Sequence, residues 1–153
     1  MALARPWVHG ELPWLSGPLY RVRSDAWPII DEFLSRWNYR RVELDGRAMT
    51  SDFLAHAELH AAFGFPDWCG HSWDAFNDCL GDFVEENDGA LIAVVWRNIE
   101  EAARQAPATV AEVGWGLLDC AFGNMPSLAR GTKWSVDMDI FVVGEGTDFR
   151  HPD

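Results

Sequence analysis

Three aspartates in the middle of the chain, Asp74, Asp78 and Asp82, are spaced four residues apart. A helix would place them on one face, where like charges repel, and aspartate is a poor residue for a helix interior. Two chemistries fit such a row: acid–base catalysis by a carboxylate pair, or pairing with the cations of a partner. Carboxylates one turn apart on an open face neither flank a substrate nor have the burial that separates pKa values. We therefore favour a cationic partner, with a merely solvated face as the alternative.

The residues around this row suit an interface. Trp68 is of a type that anchors interfaces, and Gly70 permits positive φ or a close backbone approach. Ser72 is a good N-cap for a helix that runs to about residue 83. The apolar positions of that helix form a core stripe: Trp73, Phe76, Leu80 and Phe83. Its other face stays polar and open, with Asn77 and Gly81 between the aspartates, so that loop and helix together can enter a basic, phosphate-binding pocket.

The charge of the whole chain restricts its partners. Twelve Lys and Arg residues face 24 Asp and Glu residues, for a formal net charge of −12. No Lys or Arg lies between Arg47 and Arg97, a stretch that holds many of the acids. Nucleic acids and anionic membranes are disfavoured, because phosphate contacts need cations. A basic protein partner is favoured, since opposite fields speed encounter.

Other residues offer different chemistry. His56 and His60 have a spacing that can bind a metal, but no clear third ligand follows unless Cys69 or His71 folds nearby. We expect solvated histidines and no metal or cofactor. Cys69 with His71 as base would make an enzyme, but the acidic neighbourhood disfavours a thiolate. We therefore disfavour this enzyme hypothesis and assign no catalytic residue.

The cysteine count and the first residues indicate a compartment. The chain has three cysteines, Cys69, Cys79 and Cys120. Because an odd number cannot all pair within one chain and their spacing matches no zinc-binding pattern, we expect reduced thiols. Residues 1–18 lack the continuous apolar stretch of a signal peptide, and no window has transmembrane length. We expect a cytoplasmic protein.

Helix and strand signals alternate along the chain, which predicts an α/β fold with a small, mostly parallel sheet of three or four strands covered by helices. Residues 1–18 form an irregular arm, pinned by Trp7 and Trp14, and residues 19–153 form one domain. On the longest helix, Trp115, Leu118 and Phe122 recur at helical spacing and are assigned to the core. The predicted strands span 19–23, 40–45, 90–96 and 136–143, and the predicted helices lie between them.

The segment from Phe65 to Leu80, FPDWCGHSWDAFNDCL, resembles the signature of the barstar family. Val94 to Asn98 resembles the family's next strand and its Trp-Arg exit, and Leu44 to Gly46 and residues 136–143 resemble its first and last strands. The resemblance extends over about residues 40–145. It implies a small parallel sheet with helices packed on it, and an inhibitor of a basic ribonuclease in the bacterial cytoplasm.

The resemblance also assigns roles to residues. Asp78 matches the family's dominant acidic contact, Asp74 a second one, and Trp68 and Gly70 an aromatic and a glycine of the loop. Asn77 stands where the family's namesake has an aromatic contact, and Asp82 stands where that protein has glycine. The resemblance also implies a further acidic contact, which Glu112 or Asp119 would supply. The expected partner-binding residues are Trp68, Gly70, His71, Asp74, Asn77, Asp78, Gly81 and Asp82.

The predicted function is therefore an immunity protein, monomeric when free, that occludes a ribonuclease active site. The alternative is an interaction module of the same type that neutralises a different basic toxin or regulates another basic protein.

Overall fold

The computed structural model describes residues 6–121 and 137–153. Four parallel strands form one sheet in the order β1-β4-β3-β2. The strands are β1 (Leu19–Arg23), β2 (Arg40–Asp45), β3 (Leu91–Arg97) and β4 (Asp137–Gly144). All four lie within one residue of their predicted positions, and the predicted α/β class is confirmed.

Six α-helices accompany the strands in the described part of the chain. They are α1 (Val8–Glu11), α2 (Trp27–Arg36), α3 (Asp52–Phe63), α4 (Trp73–Glu86), α5 (Ile99–Gln105) and α6 (Pro107–Ala121). Local signals account for several of their ends. The Ser51 hydroxyl accepts a hydrogen bond from the Leu54 amide and begins α3, and Gly64, at φ 71°, ends it in the left-handed conformation.

The sheet separates two apolar cores, and its inner strand β3 contributes to both. Ile92, Val94 and Trp96 of β3 face one core, which is completed by α3, α4, α5 and α6. Ala93 and Val95 face the other, together with α1 and α2. Successive strand residues point to opposite faces of a sheet, so a strand covered on both sides needs the continuous apolar run that the sequence has here.

The N-terminal arm contributes to the second core in a different way from the one predicted. Trp7 is 70% exposed and pins nothing, whereas Val8, Leu12 and Leu15 are buried. Trp14 is half-buried against the same cluster. A single turn of helix, α1, lets these aliphatic residues reach the sheet face beside α2.

Among the described residues, no helix combines the length and apolar character needed to cross a bilayer.

Candidate partner-binding surface

Helix α4 begins at a cap and buries one apolar stripe. The Ser72 hydroxyl accepts a hydrogen bond from the Ala75 amide, 3.0 Å away, and satisfies one of the free donors of the first turn. Phe76, Leu80 and Phe83 are buried in the core, as predicted, and the half-buried Trp73 packs against it. The helix continues to Glu86, three residues beyond its predicted end.

The three aspartates lie on the outer side of α4, and we call them the acidic ridge. Asp74 and Asp78 are exposed, and Asp82 is half-buried. The salt bridges found within residues 6–121 and 137–153 join other acids to cations and leave all three ridge residues out. The ridge thus presents carboxylates that these residues do not neutralise.

A disulfide holds the loop 67–71 against one flank of α4. Cys69 is bonded to Cys79, and both residues are buried. The prediction of reduced thiols is therefore wrong for this pair. It failed because sequence separation does not show that the loop folds back along the helix and brings residue 69 beside residue 79. Cys120 is free and buried, and burial raises the pKa of its thiol to about 12.

Helix α6 lies against the opposite flank of α4. A Cβ atom added to Gly116 would stand 2.6 Å from the Phe76 ring and 3.0 Å from Oδ1 of Asn77. Only a residue without a side chain permits so close an approach. The acidic ridge is consequently bordered by the loop on the Cys79 side and by α6 on the Asn77 side.

The loop residues sit at the edge of this surface. Trp68 is 73% exposed, and Gly70 and His71 are exposed too. Gly70 is not among the residues with positive φ, so of the two expected uses of the glycine a close backbone approach is the one that is left. The nearest atom to an added Cβ there is Cβ of Ala75 at 3.5 Å, an ordinary contact. The backbone at Gly70 is nevertheless open to an approaching molecule.

The remaining predicted residues belong to α4 itself. Asn77 is half-buried in the seam between α4 and α6, because its side chain meets the backbone position of Gly116. Gly81 is half-buried, with nothing within 4 Å of an added Cβ. The structure thus brings the eight predicted residues to one loop and one helix, but only some of them face outward fully.

The rings of three histidines lie close together beside the loop, and the expectation that His56 and His60 are solvated is wrong for His56, which is buried. The His71 ring lies 5.7 Å from that of His56 and 4.6 Å from that of His60 between centroids. His56 is 3% exposed, its ring packs on Trp73, and its Nδ1 atom has no hydrogen-bond partner. Burial, and then the neighbouring His71, lower the pKa of His56.

The metal and enzyme hypotheses both concern residues of this cluster and of the adjoining loop. Within the described part of the chain, no three His, Cys, Asp or Glu residues are arranged to hold a metal ion. Cys69, the proposed nucleophile, is held in the disulfide and has no thiolate to offer in this state. The histidines contribute to packing and to the position of the loop. Nε2 of His60, on α3, lies 3.4 Å from the carbonyl oxygen of Gly70 in the loop.

The assignment of Trp115 to the core is wrong. Its side chain is 67% exposed, while Leu118 is only partly buried and Phe122 lies outside the described residues. The buried face of α6 is formed instead by smaller residues: Thr109, Val113, Gly114, Gly116, Leu117 and Cys120. Glycines that pack closely give no hydrophobic signal, so the apolar periodicity pointed to the wrong face.

The surface can therefore receive a cationic protein, with a row of carboxylates between an exposed tryptophan loop and a second helix. Residues 39–121 match the model of the family described as Barstar (barnase inhibitor). No curated protein matched the sequence. The family match spans more than half of the 153 residues and includes the loop, the acidic ridge and α6. The chain belongs to the barstar family.

Proposed function

We propose that this protein inhibits a basic ribonuclease by inserting the acidic ridge and the loop 67–71 into the nuclease's catalytic cleft. The observation that carries the proposal is the acidic ridge, in which Asp74 and Asp78 are exposed and Asp82 is half-buried. No described cation forms a salt bridge with it, and it lies inside the family match. The inhibition is stoichiometric, because the inhibitor occupies the cleft and is not consumed.

The chemistry of the cleft explains why carboxylates are suited to it. A ribonuclease binds phosphates through Arg and Lys, and carboxylates form charge-assisted hydrogen bonds with the same groups, often bidentate with Arg. Asp78 and Asp74 take this role at the centre of the surface. Trp68 packs at the rim, and the backbone of Gly70 and His71 comes close to the nuclease.

Helix α6 extends the acidic surface beyond the ridge. Residues on a helix advance by about 100° each. With Gly116 facing α4, this advance turns Glu112 and Asp119 toward the same groove. Glu112 is exposed and Asp119 half-buried. Either residue can supply the further acidic contact that family resemblance implies.

The long-range field favours the same partner. A net charge of −12 attracts a cationic nuclease, and such steering raises the association rate most strongly at low salt. The repulsion within the ridge costs roughly a few tenths of a kcal/mol per pair. The helix dipole offsets part of this cost at Asp74, which lies in the first turn of α4. The cost is recovered when the nuclease's cations arrive.

A titration with a matched pair of variants tests the proposal. Wild type, Asp78→Ala and Asp148→Ala are titrated into a basic, secreted-type microbial ribonuclease while RNA cleavage is followed. Both substitutions remove one negative charge, and Asp148 is exposed in the segment after β4, outside the family match. We expect one-to-one inhibition that weakens with salt, an affinity loss of about 2–5 kcal/mol for Asp78→Ala, and no comparable loss for Asp148→Ala.

Equal affinities of the two variants would show that the assignment of Asp78 is wrong. Failure of the wild-type protein to inhibit would favour the second candidate function, binding of a different basic toxin or regulatory protein. Two features motivate that candidate: Asn77 is turned into the α4–α6 seam, and Asp82 adds a charge where the family's namesake has glycine. The same pair of variants then tests the other partner.

We propose the cytoplasm as the place of action, where an inhibitor protects the cell that makes the nuclease. Disulfides are rare in that reducing compartment. The titration is therefore carried out both with and without a dithiol reductant, so that both states of Cys69 and Cys79 are measured.

A further inference from the structure

Trp115 is the largest exposed apolar residue of α6, and its side chain does not belong to the buried core. Glu112 lies three residues before it and Asp119 four residues after it, so all three share one side of the helix. The helix contains neither Lys nor Arg. An exposed indole between two carboxylates, on a helix without cations, is an unusual use of an aromatic residue on a monomer surface.

The side of α6 that carries these residues adjoins the acidic ridge. Gly116 abuts Phe76 and Asn77 of α4, and Gly114 faces β1 with Cδ1 of Leu19 at 4.0 Å from an added Cβ. An advance of about 100° per residue then places Trp115 at the outer crest of α6. Glu112 and Asp119 fall between that crest and α4. The groove beside the ridge thus has carboxylates along it and an indole at its outer edge.

This combination selects one kind of group. The indole face attracts a cation, and a guanidinium can stack flat on it while its N–H groups reach a neighbouring carboxylate. A lysine ammonium is a compact, strongly hydrated charge and gains less from the flat surface. An apolar partner would have to desolvate the two acids without pairing them.

We propose that Trp115, with Glu112 and Asp119, is an arginine-binding position on the partner surface. In the complex, an arginine of the basic partner stacks on the indole beside the ridge. The inference rests on the proposed function only for the identity of that partner. The preference for arginine over lysine belongs to this chain alone and can be measured without the nuclease.

The test compares a six-residue arginine peptide with a lysine peptide of the same length, at low salt. Binding is followed through the indole N–H resonances in the NMR spectrum. The variants are Trp115→Ala and, as a matched control, Trp7→Ala, since Trp7 is equally exposed, at 70%, but lies in the N-terminal arm by α1. Trp68→Ala reports on the other exposed tryptophan of the surface.

We expect the wild-type protein to bind the arginine peptide more tightly, and Trp115→Ala to weaken that binding by about 5- to 30-fold. Trp7→Ala should retain the preference, and the lysine peptide should respond little to either change. Loss of the preference in Trp68→Ala alone, or equal binding by the Trp115 and Trp7 variants, would overturn the inference. So would conversion of a dimer to a monomer by Trp115→Ala with peptide binding unchanged, because the indole would then serve a contact between copies. The nuclease titration is separate, so either proposal can fail without the other.

Discussion

The two outer layers of the sheet arrange their charges differently. On the α2 side, Arg36 pairs with Glu11 at 3.0 Å and Arg41 with Asp31 at 2.5 Å. On the α4 side, no cation among the described residues pairs with the acidic ridge. Exposed pairs contribute less than about 1 kcal/mol each, yet they avoid repulsion. Of these two sets of charges, the one on the α4 side is a repulsive row, and this difference supports the cationic partner proposed above.

The two sides also differ in what positions the outer helix. Ion pairs link α2 to the arm and to β2, whereas a disulfide and a close glycine contact hold α4 between the loop and α6. These contacts leave the carboxylates of the ridge uninvolved. A partner-binding surface can therefore be fixed in shape while its charges remain available.

The largest expected effect on stability comes from removing the disulfide. The double variant Cys69→Ala, Cys79→Ala should lose about 2–3 kcal/mol of unfolding free energy, because the unfolded chain regains the entropy of the closed loop. Urea denaturation measures this loss. A dithiol reductant should lower the wild-type midpoint toward that of the variant and leave the variant unchanged, since only Cys120 remains. A wild-type urea midpoint that does not change with the reductant would contradict the Cys69–Cys79 disulfide.

The next effect concerns the glycine contact between α4 and α6. Gly116→Ala places a methyl group 2.6 Å from the buried Phe76 ring and should cost about 1–3 kcal/mol. Gly114→Ala is the control in the same helix, because an added Cβ there has its nearest neighbour at 4.0 Å. Denaturant midpoints should fall for the first variant and hold or rise for the second. Equal responses would show that α6 is free to shift away from α4.

A substitution at Gly81 should change stability and binding affinity in opposite directions. Its Cβ position is empty, and alanine in a helix interior is more stable than glycine by about 0.5–1 kcal/mol. Gly81→Ala should therefore raise the unfolding free energy. It should also weaken the affinity for the nuclease, because the proposed function places the nuclease against the helix at this point. Thermal denaturation and the nuclease titration measure the two quantities. Greater stability with unchanged affinity would exclude Gly81 from the contact.

The smallest effect tests the charge comparison directly. Asp78→Asn should raise the unfolding free energy by roughly a few tenths of a kcal/mol, because it removes the repulsion of Asp78 with Asp74 and with Asp82. Asp31→Asn should lower stability by up to about 1 kcal/mol, because it breaks the pair with Arg41. Both changes should shrink at high salt. The comparison would be wrong if both substitutions shifted the urea midpoint in the same direction.

Much of the fold and part of the surface could be predicted because their signals are local. The N-cap at Ser72 and the spacing of Asp74, Asp78 and Asp82 depend on residues within one or two helical turns. The nearly continuous apolar run from Ala90 to Trp96 is typical of a strand covered on both faces, and β3 is covered in this way. What failed was the direction of individual side chains, as with Trp7 and Trp115.

The sequence by itself determined the alternating helices and strands, the acidic ridge on a capped helix and the excess of negative charge. These follow from helical periodicity, capping and composition, which do not depend on distant residues. The tertiary structure alone decided that Cys69 meets Cys79, that His56 is buried and that Trp115 is not. Each of these depends on which element packs against which, and close packing through glycines such as Gly116 gives no hydrophobic signal in the sequence.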